Sequence, residues 1–192
     1  MFAKIKRDIK NNLVQFISIF VMAFLASFVF SGINSEWYGM KAEAERYYEE
    51  TNLAHIWIMG NYFSHEDLKK VKNISGIKHA SLRLTYDADV SPGSEKTLRI
   101  NLAEENLISK PELAEGNPID IDKDGLWLDY SYAKANRLST GDTIEFDFAG
   151  YKIQKEILGL ILHPEYIHSS KDGSNLMPDH ENFGFAFLFS SV

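Results

Sequence analysis

Cysteine is absent from this chain of 192 residues, so it has neither a disulfide nor a thiol for nucleophilic or metal chemistry. It also lacks the Gly-x-Ser-x-Gly turn that presents a catalytic serine. The phosphate-binding loop Gly-x-x-x-x-Gly-Lys-Ser/Thr is missing as well. We therefore predict that the chain is not an enzyme, carries no cofactor and does not itself bind ATP through a P-loop.

Charge is missing from one long stretch near the start. Residues 13–33, LVQFISIFVMAFLASFVFSGI, contain no Asp, Glu, Lys or Arg. As a helix this stretch would span about 31 Å, roughly the hydrocarbon thickness of a bilayer. A buried core helix is one alternative. A cleaved signal peptide is another, but the run exceeds its apolar length of about 7–15 residues and has no Ala-x-Ala site. We interpret it as an uncleaved transmembrane helix.

The flanks of this stretch predict its orientation. Residues 1–12 are basic, with Asp8 as their single acid, whereas acidic side chains outnumber basic ones soon after residue 33. The cations are Lys4, Lys6, Arg7 and Lys10. Because Lys and Arg stay on the cytoplasmic side, we predict a cell-membrane protein with a cytoplasmic, interfacial amino terminus and an extracytoplasmic main domain.

Small and polar side chains form a row along the apolar stretch. The row consists of Gln15, Ala23, Ser27 and Ser31. Such residues let helices approach closely in lipid and bond across the contact, which predicts packing against other membrane helices. Back-bonding of the two serines to their own helix is the alternative.

Residues 34–52 predict an amphipathic stalk helix that continues outward from the membrane. Its apolar face consists of Trp37, Met40, Ala44 and Tyr47. The pairs Lys41–Glu45 and Arg46–Glu50 have the i,i+4 spacing of helix ion pairs.

Residues 53–192 predict a mixed α+β extracytoplasmic domain, because strand patterns outnumber short helical ones and interleave with them. The predicted strands are residues 53–59, 77–90, 97–102, 125–128, 143–148, 151–162 and 183–189. The predicted helices are residues 64–73, capped by Ser64 with Leu68, Val71 and Ile74 inward, and residues 130–138. The net charge of the whole chain is −7 despite its basic start, so this domain is acidic and nucleic acid is not an expected partner.

Two motifs contain metal-ligand residue types. Asp120-x-Asp122-x-Asp124-Gly125 copies the first half of an EF-hand loop, but Ser131 stands where the bidentate Glu belongs, so we expect an acidic turn. His163-Pro164-Glu165-x-x-His168 would fit a metal-dependent hydrolase, but Pro164 disfavours the helix that would align its ligands. We predict no metal site at either motif.

The order of several stretches resembles a known family. The opening stretches are Arg7-Asp8-Ile9-Lys10-Asn11-Asn12 and Gln15-Phe16-Ile17-Ser18-Ile19-Phe20. The later ones are residues 127–135, Leu138-Ser139-Thr140-Gly141-Asp142-Thr143-Ile144 and Ile157-Leu158-Gly159-Leu160 before His163-Pro164-Glu165-Tyr166. This series, which covers essentially the whole chain, is similar to the bacterial MacB/FtsX-type ABC transporter permeases.

The resemblance implies a permease subunit with an extracytoplasmic domain of the MacB periplasmic-core type. A cytoplasmic ABC ATPase subunit and a second permease, as a homodimer or a pair, are its implied partners. The complex would couple ATP hydrolysis to motion of the outer domain for export, extraction or resistance. Such permeases have at least four membrane helices, so we expect this chain to be a fragment with an incomplete domain. A single-pass anchored binding domain without an ATPase partner is the alternative.

Overall fold

The computed structural model describes residues 2–90, 95–148, 150–168, 171 and 177–189, without the side chains of Phe2, Ala3, Lys6 and Asp8. The chain divides into two compact units, Met1–Tyr47 and Tyr48–Val192. Helices and a seven-stranded sheet are both present, so the fold class is α+β with one long apolar helix near the amino terminus.

Two helices make up most of the first unit. Helix α1 comprises Phe2–Asn11, and α2 comprises Leu13–Glu50. The 38 residues of α2 extend about 57 Å. Its most apolar window has a mean hydropathy of 2.4, and none of that window is buried. By length and composition, α2 is able to cross a membrane.

One sheet organises the second unit. Its strands are β1 Arg83–Asp89, β2 Thr97–Ala103, β3 Glu112–Gly116, β4 Leu126–Asp129, β5 Thr143–Phe148, β6 Tyr151–Leu162 and β7 Phe183–Phe189. The strand order is β1-β2-β7-β4-β6-β3, and β5 pairs with β6. The pairs β2–β7 and β4–β6 are parallel, and the other pairs are antiparallel. The helices of this unit are α3 His65–Lys72 and α4 Tyr130–Asn136, with a 3-10 turn at Pro164–Tyr166.

The core lies on both faces of the central strands. In β7, Phe185, Phe187 and Phe189 join a cluster that contains Trp127, whereas Ala186 joins the opposite cluster with Leu128. All four residues of β4 are buried. Strands covered on both faces carry continuous apolar runs, which explains the sequence of β7.

Two glycines permit close approaches within this core. A Cβ at Gly184 would lie 2.5 Å from the Cβ and Cγ atoms of Tyr132 in α4, so glycine lets this helix pack directly on β7. At Gly141, φ is 93°, which suits glycine in the turn before β5. The carboxylate of Asp142 closes this turn by accepting from the N–H of Ser139 at 2.7 Å.

Several predicted elements are confirmed. The predicted strands 143–148, 151–162 and 183–189 agree with β5, β6 and β7, and residues 97–102 form most of β2. Ser64 caps α3 and forms a reciprocal capping box with Asp67. Between β5 and β6, Ala149 lies outside the described residues, and the N–H of Gly150 donates to the carboxylate of Asp147 at 2.8 Å.

Other predicted elements are wrong. Residues 53–59 form no strand, and β1 begins at Arg83 rather than at residue 77. Residues 112–116 form β3, although its sequence ELAEG contains few strand-favouring side chains. Ile74 is exposed, and α3 has no buried residue. Strand propensity alone is a weak guide here. Pairing with β6 orders β3, whereas residues 53–59 have no strand partner among the described residues.

Candidate functional site

The cationic residues predicted for the membrane interface lie on α1. Lys4, Arg7 and Lys10 are exposed, and the side chain of Lys6 lies outside the described part of the chain. Their accessibility is compatible with contact to headgroups or to another protein.

The residues predicted for helix packing lie on α2. Gln15, Ala23, Ser27 and Ser31 are all exposed. Back-bonding does occur nearby, since the hydroxyl of Ser18 donates to the carbonyl of Val14 at 2.9 Å. Packing against another membrane helix stays a prediction for this row.

The predicted stalk residues lie farther along α2. Trp37, Met40 and Ala44 are exposed and Tyr47 is half-buried. The Lys41 ammonium lies 3.8 Å from the Glu45 carboxylate. Arg46 forms an ion pair with Glu43, one turn toward the amino terminus, and this i,i+3 pair was not predicted.

Within the second unit, a set of hydrogen bonds connects residues 51–54, which follow α2, to residues 107–110. We call residues 51–54 and 107–110 the joint. The N–H groups of Ser109 and Lys110 donate to the carbonyls of Asn52 and Thr51 at 2.9 and 2.7 Å. In the reverse direction, the N–H of Ala54 donates to the hydroxyl of Ser109 at 3.1 Å. The side chain of Asn52 also donates to the carbonyl of Leu107.

Ser109 extends the joint toward the sheet. It is buried, and its hydroxyl bonds the carboxylate of Glu165, which forms an ion pair with Arg83 at the start of β1. Burial alone would raise the pKa of Glu165, but the bonds and charge of Arg83, together with Ser109, hold it below its ordinary value. The carboxylate therefore stays ionised as the link between the joint and β1.

The motif at residue 163 is a packing element. The ring of His163 stacks on Phe187 with centroids 4.4 Å apart, and its Nδ1 accepts from the N–H of Glu165 at 3.2 Å. Burial lowers the pKa of His163 to about 3, so the ring is neutral. Among the described residues, no three His, Asp or Glu side chains are placed to hold a metal ion.

The hydroxyl of Tyr166 reaches a buried amide on β2. It donates to the Oδ1 of Asn101 at 3.1 Å, and Thr85 donates to the same oxygen at 3.1 Å. The amide nitrogen of Asn101 donates to the carbonyls of Arg99 and Ala186. Because each polar group of this fully buried amide has a partner, the amide fixes the segment after β6 against the sheet.

The acidic motif at residue 120 forms a turn. The N–H of Asp122 donates to the Oδ1 of Asp120 at 3.1 Å, which is the geometry of an Asx turn. Asp124 points to a different partner, an ion pair with Lys155 on β6.

An apolar cleft of about 180 Å³ lies between β1–β2–β7 and the β5–β6 hairpin. The lining residues are Leu84, Tyr86, Ile100, Leu102, Phe146, Phe148, Ile153, Leu188 and Lys155. At one side, the rings of Tyr86 and Phe148 meet edge-on with centroids 4.9 Å apart. No local sequence pattern marks this cleft, because its residues come from five strands.

The chain matches no protein-family model and has no significant match among curated proteins.

Proposed function

We propose that this chain is part of a MacB/FtsX-type ABC transporter permease and passes motion from a cytoplasmic ATPase to its extracytoplasmic domain. The family resemblance of the ordered stretches is the starting point for this proposal. The observation that carries it is the uninterrupted course of α2 from the apolar stretch to the joint. A continuous helix that ends in a hydrogen-bonded attachment is the kind of element able to transmit a displacement.

Each segment has a role in this proposal. The basic residues of α1 lie in the cytoplasmic interface near the ATPase subunit, and residues 13–33 cross the bilayer. Residues 34–50 act as the stalk. At its end, the joint passes displacement of α2 to Glu165 and Arg83, and so to β1 and the sheet.

Hydrogen exchange in the complete complex tests this role. The permease would be purified with its ATPase subunit and compared in the ATP-bound and ADP-bound states. We expect amides in residues 34–54 to change their exchange rates between the two states. No nucleotide-dependent change in this segment would overturn the proposed transmission.

A pair of variants tests whether the joint carries the motion. Ser109→Ala removes the acceptor of the Ala54 N–H and the donor to Glu165, so the nucleotide-dependent change in β1 should decrease. Tyr151→Ala is the matched control, because Tyr151 is exposed at the hairpin tip. Equal responses in both variants would contradict a role for the joint.

The apolar cleft favours the second candidate, a membrane-anchored binding domain without an ATPase. A concave, apolar surface is the usual form of a small ligand site, although about 180 Å³ is small for one. Copurification of the full chain from membranes separates the two candidates. An ATPase subunit that copurifies stoichiometrically favours the permease, and its absence favours the binding domain.

A further inference from the structure

The apolar cleft between β1–β2–β7 and the β5–β6 hairpin has a single charged residue among the described residues that line it. That residue is Lys155 on β6, and the others are Tyr86 and aliphatic or phenylalanine side chains. Part of the lining is accessible, since Leu84 is 54% exposed and Leu102 is 38% exposed. Apolar side chains around a concave, accessible surface gain free energy when an apolar group covers them. The cleft is therefore suited to an apolar group that carries an anion.

The register of the hairpin shows that the cleft is elongated. The hairpin pairs Phe148 with Tyr151 at its tip and Ile144 with Lys155 four residues farther along. Four residues of an antiparallel strand extend about 13 Å. The ring of Phe148 contacts Tyr86, so an aromatic contact lies toward one end of the cleft and the cation of Lys155 toward the other. This arrangement matches an extended chain with an anionic head better than a compact ring.

The volume of the cleft limits what it can hold. Sites for drug-sized ligands usually enclose about 300–1,000 Å³, and an apolar cavity of about 150 Å³ accepts a group the size of benzene. At about 180 Å³, the cleft is large enough for part of one alkyl chain. It is too small for two chains side by side or for a large ring system.

The carboxylate that pairs with Lys155 is replaceable. Lys155 forms an ion pair with Asp124, whose side chain is 84% exposed, whereas the side chain of Lys155 is 25% exposed. An ion pair with such an exposed partner contributes little to stability, because water solvates a free carboxylate well. Asp124 can therefore turn into solvent and leave the ammonium to the carboxylate of a ligand.

We propose that this cleft binds a fatty acid, with its alkyl chain between β1–β2–β7 and the hairpin and its carboxylate on the ammonium of Lys155. The proposal names a ligand class for the cleft of the second candidate function, and it rests on that candidate for the premise that the cleft is a ligand site. It does not require an ATPase subunit. Copurification of that subunit and occupancy of the cleft are therefore separate results, and either can fail without the other.

Photo-cross-linking of the full chain in lipid nanodiscs tests the proposal. The probe is a decanoate analogue with a diazirine on its alkyl chain, and the control probe is the corresponding alcohol. Mass spectrometry of the digested protein locates the adducts, and adducts on residues 13–33 give the reference for probe dissolved in lipid. We expect the carboxylate probe to label β1, β2 or β5 at least about tenfold more than the alcohol does, and unlabelled decanoate to compete. Equal labelling of these strands by both probes, or no labelling of them, would overturn the proposal.

A pair of lysine variants tests the contact with the head group. Lys155→Met keeps an unbranched side chain and removes the charge, so labelling of the cleft by the carboxylate probe should fall about tenfold. Labelling by the alcohol probe should stay unchanged, which shows that the cleft is intact. Lys152→Met is the matched control, because Lys152 lies on the same strand, forms an ion pair with Glu145 at 2.8 Å and is not among the described residues that line the cleft.

Asp124→Asn provides the second measurement. This substitution removes the competing carboxylate, so labelling by the carboxylate probe should stay equal or increase. A loss of labelling in Asp124→Asn would contradict the proposed exchange of carboxylates. Equal effects of Lys155→Met and Lys152→Met would contradict a carboxylate on Lys155.

Discussion

The centre of the sheet and the segment at residues 53–63 have similar compositions and opposite surroundings. Strand β7, FGFAFLF, lies between β2 and β4 and has apolar clusters on both faces. The segment at residues 53–63 is also apolar, but it has no neighbouring strand among the described residues, and most of its large apolar side chains are exposed. An apolar run thus indicates side chains that gain free energy from burial. Whether the run becomes a strand depends on whether a neighbouring strand is available to pair with it.

The physical reason lies in how sheets are stabilised. A strand gains free energy from cross-strand side-chain pairs and from packing on its faces, each of which needs a second element. Burying one large apolar side chain contributes about 1.5–3 kcal/mol, and the exposed residues of the segment lack this contribution. The two regions can be compared directly by substituting equivalent residues in each.

One tryptophan from each region, Trp127 and Trp57, gives the largest expected difference. Trp127 is fully buried and its indole N–H donates to the carbonyl of Asn117 at 3.0 Å, whereas Trp57 is 48% exposed. We expect Trp127→Ala to lower the free energy of unfolding by about 3–5 kcal/mol through cavity formation. Trp57→Ala should change it by about 0.5 kcal/mol or less in monomeric protein. Urea unfolding of the full chain in detergent measures both, and similar losses would contradict the comparison.

A buried and an exposed aspartate should make stability depend on pH in opposite ways. Burial at the end of β4 raises the pKa of Asp129 to about 6, although its bond from the Ser131 N–H and the charge of His180 act in the opposite direction. Between about pH 4 and pH 6 the unfolded chain releases this proton and the folded chain keeps it. Stability should therefore fall by about 3 kcal/mol as the pH rises through this range.

Asp129→Asn should remove this decrease while keeping a side-chain cap for α4. Asp67, in the exposed helix α3, provides the contrast, because bonds from Ser64 lower its pKa. Its contribution is present above its unfolded pKa and is lost as the pH falls, so Asp67→Asn should alter the pH profile with the opposite sign. Unfolding curves from about pH 2 to about pH 7 measure both effects. Parallel profiles for the three proteins would refute this explanation.

Two glycines test packing in the same two regions. In Gly184→Ala, the new methyl group would meet the Tyr132 side chain at 2.5 Å, and we expect a loss of about 1–3 kcal/mol from overpacking. In Gly60→Ala, the nearest atom is Phe63 Cζ at 2.8 Å, at the far end of an exposed side chain that can turn away. Thermal unfolding should therefore distinguish the variants, and equal shifts in midpoint would contradict the difference in packing.

The sequence predicted elements that carry their own local signals. Strand β5 and the Ser64 cap of α3 each depend on residues close together in the chain. Strand β3 and the irregular course of residues 53–59 were missed because each depends on whether a distant strand is available. Of the candidate sites, the sequence indicated the apolar stretch and the stalk, whereas the joint depends on Ser109, which has no local motif.

Ser109 bonds Ala54 at the start of the segment and Glu165, the ion-pair partner of Arg83, so it gives the smallest and most local expected effect. Ser109→Ala removes the acceptor of the Ala54 N–H, which costs about 1 kcal/mol, and this amide should then exchange about fivefold faster. Amides of β7 should keep their rates, because the core does not include this hydroxyl. Hydrogen exchange with mass spectrometry resolves the two segments. Faster exchange in β7 as well would mean that residues 51–54 and the sheet unfold as one unit. The segment at residues 53–63 and the centre of the sheet would then differ in exposure and not in local stability.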